Sequence, residues 1–317
     1  MQWSDLTSFH RSAKSRAQVL VTMVGKRGSS YRQPGARMLV RDDGAVCGSV
    51  SAGCLEDEIA RATKPVLLDG TSRILTIDTR PHYGCPGQIT LLMEVLHPHA
   101  GDALFATVEE KLLARKPFAV STEYGDLTSG RPHTQVLGDD LPEARSRPGV
   151  LVQHVGRRPR IVVVGAGDDA SAVAKAALLA RWDVHTVATE EVQFSHSQLA
   201  ARFPPDDRTA VVLLTHNLGL DVACLCEVLP LPYSYVGVIG SVRRRSEIIQ
   251  GLESSGNIEV LASIDNLFCP AGLDLGASDA GEIALSILAE IQCVWSGRGA
   301  GPLRERGEPI HQGERSS

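Results

Sequence analysis

Two cysteines, one histidine and one arginine-rich turn are the residues of this chain best placed to do chemistry. Cys54 ends the stretch GSVSAGC and Cys85 sits in HYGCPG. Both fall in glycine-rich, backbone-permissive loops, unlike Cys47, Cys224, Cys226, Cys269 and Cys293. A thiolate in such a loop is a nucleophile or a soft metal ligand. Glu56, Asp57 and Glu58 oppose the thiolate at Cys54, and the plain alternative at both positions is an inert small residue in a turn. Thr215, His216 and Asn217 close the apolar run VVLL. Ligands of open α/β sheets bind beyond the carboxyl ends of strands, which puts His216 at a functional address. Gly240 and Ser241 open a helical pattern followed by Arg243, Arg244 and Arg245. A helix N-terminus with arginines is an anion site in outline, although three consecutive positions cannot all face one ligand. The alternative is a solvated basic face.

A further turn, Gly165-Ala166-Gly167-Asp168-Asp169-Ala170, has the G-x-G-x-x-A form of a dinucleotide fingerprint. Its glycines permit a tight turn and close approach to a pyrophosphate at a helix N-terminus. Two features oppose a nicotinamide dinucleotide. The acid expected at the end of the second strand is replaced by Ala188, and Asp168 and Asp169 place negative charge where phosphates would arrive. Either aspartate also suits a helix cap.

These residues need a scaffold. From Arg160, IVVVGAG, DVHTVA, TAVVLLTHN and YVGVIG read as continuous apolar strands alternating with helices, the pattern of a doubly wound parallel sheet. Ala280 to Val294 reads as a final helix. Before it, an opening helix, the strands LVTMV, MLV and AVCGSV, a helix over Leu55–Leu68, and the strands ILTIDT and QITLLMEVL make a mixed β/α module. The expected organisation is an N-terminal module over 1–101, a connecting region of unsettled structure over 102–157, a Rossmann-like unit over 158–295 and a disordered tail over 296–317.

Composition excludes several classes. The 317 residues carry a formal net charge of −5, which argues against a nucleic-acid binder. Aromatics are 4 %, so the cores must be aliphatic. No apolar run reaches the roughly 20 residues of a membrane span, and the opening residues hold no apolar signal core, so a cytoplasmic protein is expected. Seven cysteines at irregular spacing do not make a disulfide framework. Cys224-x-Cys226 lies in a helical pattern with the two thiols facing apart, as core residues.

Taken together, the chain resembles the XdhC/CoxI family of molybdoenzyme maturation proteins. The resemblance rests on GSSYRQPGARMLVRDDGAVCGSVSAGCLE and YGCPGQITLLMEVL in the first part. In the second it rests on VVLLTHN, YVGVIGSVRRR and CPAGLDLGASDAGEIALSILAEI. It implies an N-terminal module followed by a Rossmann domain. It also implies binding of the molybdenum cofactor (molybdopterin), its protection, and its insertion into a xanthine-dehydrogenase-like molybdenum hydroxylase apoenzyme after sulfuration. A cysteine desulfurase as second partner and a homodimer are part of the same expectation. Position by position, Cys54 and Cys85 fall on the family's loop cysteines and His216 on its TH dipeptide. Gly240, Ser241 and Arg243 fall on its GS-R turn, and Asp274 and Glu282 on acids of the GLDIGA and EIA stretches. Gly165, Gly167, Asp168, Thr215 and Asn217 complete the cofactor-binding candidates, with Arg243 toward the phosphate and Asn217 and Asp274 toward pterin edges. The chain departs from the family at Ala52, at Asp168, where histidine is frequent, and at Ala188-Thr189-Glu190, where Asp-Pro-Arg is frequent.

Two functional readings stay open on sequence. One is a cofactor-binding maturation protein rather than a turnover enzyme, with Cys85 as a relay for sulfur. The other is an NAD(P)-dependent or metal-dependent oxidoreductase on the same scaffold. His216 would then be an acid/base group or metal ligand, with Cys54 or Cys85 beside it. A third, an interaction protein with a vestigial cleft, fits poorly with the presence of both cysteines, His216 and the arginine turn.

Overall fold

The computed structural model describes residues 2–28, 30–51, 53, 55–80, 87–96, 98–128, 133–138, 145–194, 198–256, 258–305 and 307. Cys54, Cys85 and half of the expected disordered tail (residues 306 and 308–317) lie outside them. The chain forms two compact units, Met1–Arg157 and Arg158–Arg315.

The first unit runs α1 (Gln2–Arg11), β1 (Gln18–Gly28), β2 (Arg37–Arg41), β3 (Val46–Gly48), α2 (Glu56–Ala62), α3 (Lys64–Asp69), β4 (Arg73–Asp78) and β5 (Gly87–Leu96). It continues with α4 (Pro98–Leu113), β6 (Phe118–Glu123), β7 (Thr134–Val136) and β8 (Val150–Val155). β1 to β5 pair antiparallel in the order β3-β2-β1-β5-β4. β1 is apolar at every position from Val19 to Val24 except Thr22, because both of its faces are covered. Val19, Val21 and Met23 join Ile59 and Val66 of α2 and α3 in one core. Leu20, on the opposite side of the pleat, joins Trp3 and Leu6 of α1 and Phe105 and Val108 of α4 in another. The single helix expected over Leu55–Leu68 is two, broken at Thr63, with proline in the first turn of the second.

Residues 102–157 are no mere connector. Most of α4 and the antiparallel sheet β7-β6-β8 come from them, and both belong to this unit. A buried polar layer ties that small sheet to the large one. Arg37 on β2 is 1 % exposed, donates to Thr122 Oγ1 on β6 at 3.2 Å and to Gln153 Oε1 on β8, and lies under the Trp3 ring. Glu94 on β5 accepts from the N–H groups of His133 and Thr134 at 2.7 and 3.0 Å. Burial lowers the Arg37 guanidinium to about 9, against the opposing pull of Glu94, so it stays charged at neutral pH.

The second unit runs β9 (Arg160–Gly165), α5 (Asp168–Leu179), β10 (Asp183–Val187), α6 (Thr189–Phe194), α7 (Leu199–Arg202), β11 (Thr209–Leu214) and α8 (Leu218–Val228). It closes with β12 (Tyr235–Val238), α9 (Val242–Ser254), α10 (Ile258–Ala262), β13 (Leu267–Phe268) and α11 (Ala280–Ser296). Its five strands are all parallel, in the order β10-β9-β11-β12-β13. Val162 and Val164 of β9 face the core under α8 and α9, while Ile161 and Val163 face the one under α5 and α11. Burial on both faces is why these strands are unbroken apolar runs. The strand order reverses between β9 and β11, which makes their carboxyl ends the ligand-binding crevice of the fold.

Candidate functional site

At that crevice the turn after β9 meets the turn after β11. Gly165 cannot be replaced, because a Cβ there would lie 2.2 Å from the Leu214 carbonyl oxygen. Gly167, at φ 94°, caps α5 without a side chain, and Asp168 and Asp169 form the helix's first turn. His216 stands at φ 54°, 61 % exposed, with Nε2 3.7 Å from Asp169 Oδ2. The sequence candidates Gly165, Gly167, Asp168 and His216 therefore gather in one place, joined by Asp169.

The other candidates hold the scaffold around it. Asn217 caps α8 by accepting from the Leu220 N–H at 3.2 Å, and Ser241 caps α9 by accepting from the Arg244 N–H at 3.2 Å. Thr215 Oγ1 donates to Asp221 Oδ1 at 2.6 Å. Gly240 leaves room for Arg244, whose Cγ would be 2.6 Å from an added Cβ. Arg243, the arginine expected to meet a phosphate, is 88 % exposed and pairs with Glu247 one helical turn on. Arg244 turns inward instead, to Asp221. Glu282 reaches back to the Ser278 N–H at 2.8 Å while Asp279 caps α11, so Glu282 works as half of a helix-start clamp. Asp274 is exposed in the loop before that helix.

Asp221 was not singled out by sequence, and Arg244 was named only as one of three arginines, with Arg243 preferred for the phosphate. Asp221 reads as one acid inside the helical stretch DVACLCEVL. Phasing the next helix from its cap at Ser241 would have separated Arg243 from Arg244, since neighbours on a helix differ by roughly 100°.

In the first unit, register places three connections at one end of the large sheet. Gly28 pairs with Gly87, Asp78 with Gln88, and Met38 with Gly48. The segments Gly28–Arg37, Gly48–Glu56 and Asp78–Gly87 all leave from that end, and the last two carry Cys54 and Cys85. Thr79 fixes the base of the Cys85 segment, its N–H and hydroxyl both donating to the Gly87 carbonyl at 2.9 Å. Glu56 fixes the Cys54 segment. Its carboxylate accepts from Ser49 Oγ at 2.7 Å and from the Ser51 N–H at 2.9 Å. Burial works against its ionisation, but the hydrogen bonds from Ser51 and Ser49 outweigh it and hold the carboxyl at about 2.

Two described cysteines are poor thiolates. Burial, and then the charges of Asp221 and Glu227, push Cys224 up to about 12, and burial also raises Cys269. Cys224 is a core residue. Among the described residues no group of three or more histidines, cysteines and acids is placed to hold a metal ion, and no helix is long and apolar enough to cross a membrane.

These units define a class: a two-part α/β protein with an antiparallel N-terminal module and a Rossmann unit. The chain belongs to the XdhC and CoxI family. Residues 12–78 match the XdhC and CoxI family model and residues 161–291 match the XdhC Rossmann domain. It is 30 % identical over 286 residues to the molybdenum cofactor insertion chaperone PaoD of Escherichia coli K12, covering 88 % of this chain and 84 % of that one. It is 23 % identical over 314 residues to a probable xanthine dehydrogenase subunit of Bacillus subtilis, covering 86 % of this chain and 92 % of that one. A crystal structure described as a xanthine dehydrogenase from Bacillus halodurans has the same fold, with TM-score 0.74 and 22 % identity over 95 % of this chain and 98 % of that one.

Proposed function

We propose that this chain is a molybdenum cofactor insertion chaperone that carries the cofactor as cargo to an apo molybdenum hydroxylase. The observation that carries the reading is the relationship to PaoD, which runs through both units. The cargo has a pterin, a phosphate and a dithiolene-bound metal. Cys54 and Cys85 supply soft thiolates suited to the metal or its sulfur, from segments that leave one end of one sheet. A cysteine desulfurase as sulfur source and a homodimeric state complete the proposal, on family resemblance alone.

The oxidoreductase reading fits less well. Asp168 and Asp169 occupy the helix start where a dinucleotide pyrophosphate would sit, and Val187 is followed by Ala188 rather than by an acid for the ribose.

The test is reconstitution. Molybdenum cofactor released from a molybdoenzyme is mixed with an apo molybdenum hydroxylase, with and without this chain, and hydroxylase activity is followed. Activation should rise with the chain present and fall with Cys85→Ala or Cys54→Ala. Equal activation with and without the chain overturns the reading.

A further inference from the structure

Surface cations of the first unit are commonly matched by acids. Arg16 pairs with Asp42, Arg41 with Asp43 and Arg80 with Asp78. Lys26, Arg27 and Arg32 depart from that pattern. All three are exposed, and none has a carboxylate partner among the described residues. No acid occurs between Asp5 and Asp42. Tyr31, next to Arg32 in the chain, is 71 % exposed.

These residues share one hairpin with a fixed base. The Met23 N–H donates to the Ala36 carbonyl at 2.9 Å and the Gly35 N–H to the Met23 carbonyl at 2.8 Å. Gln33-Pro34-Gly35-Ala36 closes the base in the pattern of a type II turn. Its Ala36 N–H donates to the Gln33 carbonyl at 3.1 Å, and Gly35 takes φ 97°. Register sorts the cations by face. Lys26 stands opposite Ile89, which belongs to the core under α2 and α3, and Arg27 stands opposite Gln88. Neighbours on a strand face apart, so Lys26 lies on the side of that core and Arg27 on the other. Arg32 joins Lys26. Its Nε–H reaches the carbonyl of Ser51 at 3.4 Å, next to Val50 of the same core. That contact holds the guanidinium by Nε and leaves both terminal amines for a bidentate ligand. Glu56, bonded to Ser51, spends its oxygens on donors from Ser49, Ser51 and Leu55 rather than on Arg32.

A solvated basic face does not account for this. Solubility is served by mixed charge, as in the rest of the unit, and an exposed tyrosine ring adds nothing to it. A point charge, a planar fork and a flat ring on one hairpin complement a phosphate monoester carried on a flat heterocycle. They are too few for a protein partner, whose face takes about 20 residues. The arginines of the Rossmann turn are already engaged, Arg243 with Glu247 and Arg244 with Asp221. We propose that Lys26 and Arg32 bind the phosphate of the cofactor, with Tyr31 against its pterin. The inference rests on the reading of the chain as a carrier of that cofactor.

The experiment measures retention of released molybdenum cofactor by the full chain, using ultrafiltration and molybdenum analysis. Calorimetry with guanosine monophosphate and guanosine runs in parallel, as a probe of phosphate on a flat heterocycle. Arg32→Gln and Lys26→Gln should each weaken cofactor retention about tenfold, the effect of one charge-assisted hydrogen bond lost. Retention should also weaken as salt rises from about 0.05 to 0.5 M. Arg27→Gln, on the other face, should leave retention unchanged. Lys26→Gln decides alone if Arg32→Gln does not fold. Retention equal to the parent in the folded variants overturns the proposal and leaves the carrier reading standing. Retention equal to the parent with hydroxylase activation lost also overturns it, and gives the hairpin to the surface of the hydroxylase. If the parent retains no cofactor, the carrier reading fails and the nucleotide decides. A preference for guanosine monophosphate over guanosine that is lost in both variants upholds the phosphate site, and no preference overturns it.

Discussion

Arg244 Nη2 lies 2.7 Å from Asp221 Oδ2, so the inward-facing arginine of the basic turn is paired within the protein. Asp221 is 1 % exposed, and its other oxygen accepts from Thr215. The inward-facing arginine of the basic turn is therefore matched by a buried carboxylate, and Arg243 faces solvent with Glu247. An arriving phosphate would meet Asp168 and Asp169 at the head of α5, while Arg244 is already neutralised by Asp221.

The same pair predicts a stability pattern. Removing the cation alone, as in Arg244→Met, strands a buried carboxylate and should cost about 3 kcal/mol. Asp221→Leu combined with Arg244→Met should recover most of that, because no charge is then left unpaired. Urea unfolding of the full chain and of both variants checks it. A single-variant loss below about 1 kcal/mol would show that Asp221 finds solvent or another donor when the arginine leaves.

Nicotinamide cofactors should bind this chain weakly. Calorimetry with NADH and NADPH should give dissociation constants above about 1 mM, a binding energy smaller than about 4 kcal/mol. Asp168→Ala with Asp169→Ala should strengthen whatever binding there is, since both carboxylates oppose a pyrophosphate. Micromolar binding to the unaltered chain would return the oxidoreductase reading to the front.

His216 separates stability from function. At 61 % exposure and 3.7 Å from Asp169, its contact contributes less than about 1 kcal/mol. His216→Ala should leave the melting temperature within a few degrees of the parent, by roughly 4 °C per kcal/mol. Hydroxylase activation in the reconstitution should fall. Full activation would remove His216 from the site.

What sequence could and could not show follows from the physics of each signal. β9, β11 and β12 were legible because strands buried on both faces must be apolar throughout, and Gly165 because the chain crowds Leu214 there. The helix α4 and the sheet β7-β6-β8 were less so. Their strands are short, and the ties to the large sheet are polar: Arg37 with Thr122 and Gln153, Glu94 with the backbone of β7. An arginine at a strand start reads as exposed, and nothing in RMLVR says that Trp3 covers it. Asn217 and Ser241 were found by residue type and position and Glu282 through the family resemblance, but neither route separates a ligand contact from a helix cap. Geometry does, and it gives all three a capping partner.

The Glu56 clamp should leave a mark on acid stability. Its carboxyl is held at about 2, against an ordinary value of 4.5, so the ionised form is favoured in the folded chain. For a depressed carboxyl the contribution is fully present above the ordinary value and is lost as pH falls through the folded one. The stability gap between the parent and Glu56→Gln should therefore be widest above about pH 5 and shrink steadily toward pH 2. Melting temperatures of both proteins across that range measure it. Asp78, also held at about 2 by Arg80, is common to both proteins and cancels in the comparison. A gap that stays constant with pH would mean that the Ser49 and Ser51 donors bind a neutral carboxyl as well as a charged one. The loop would then owe its order to side-chain packing rather than to the charge of Glu56.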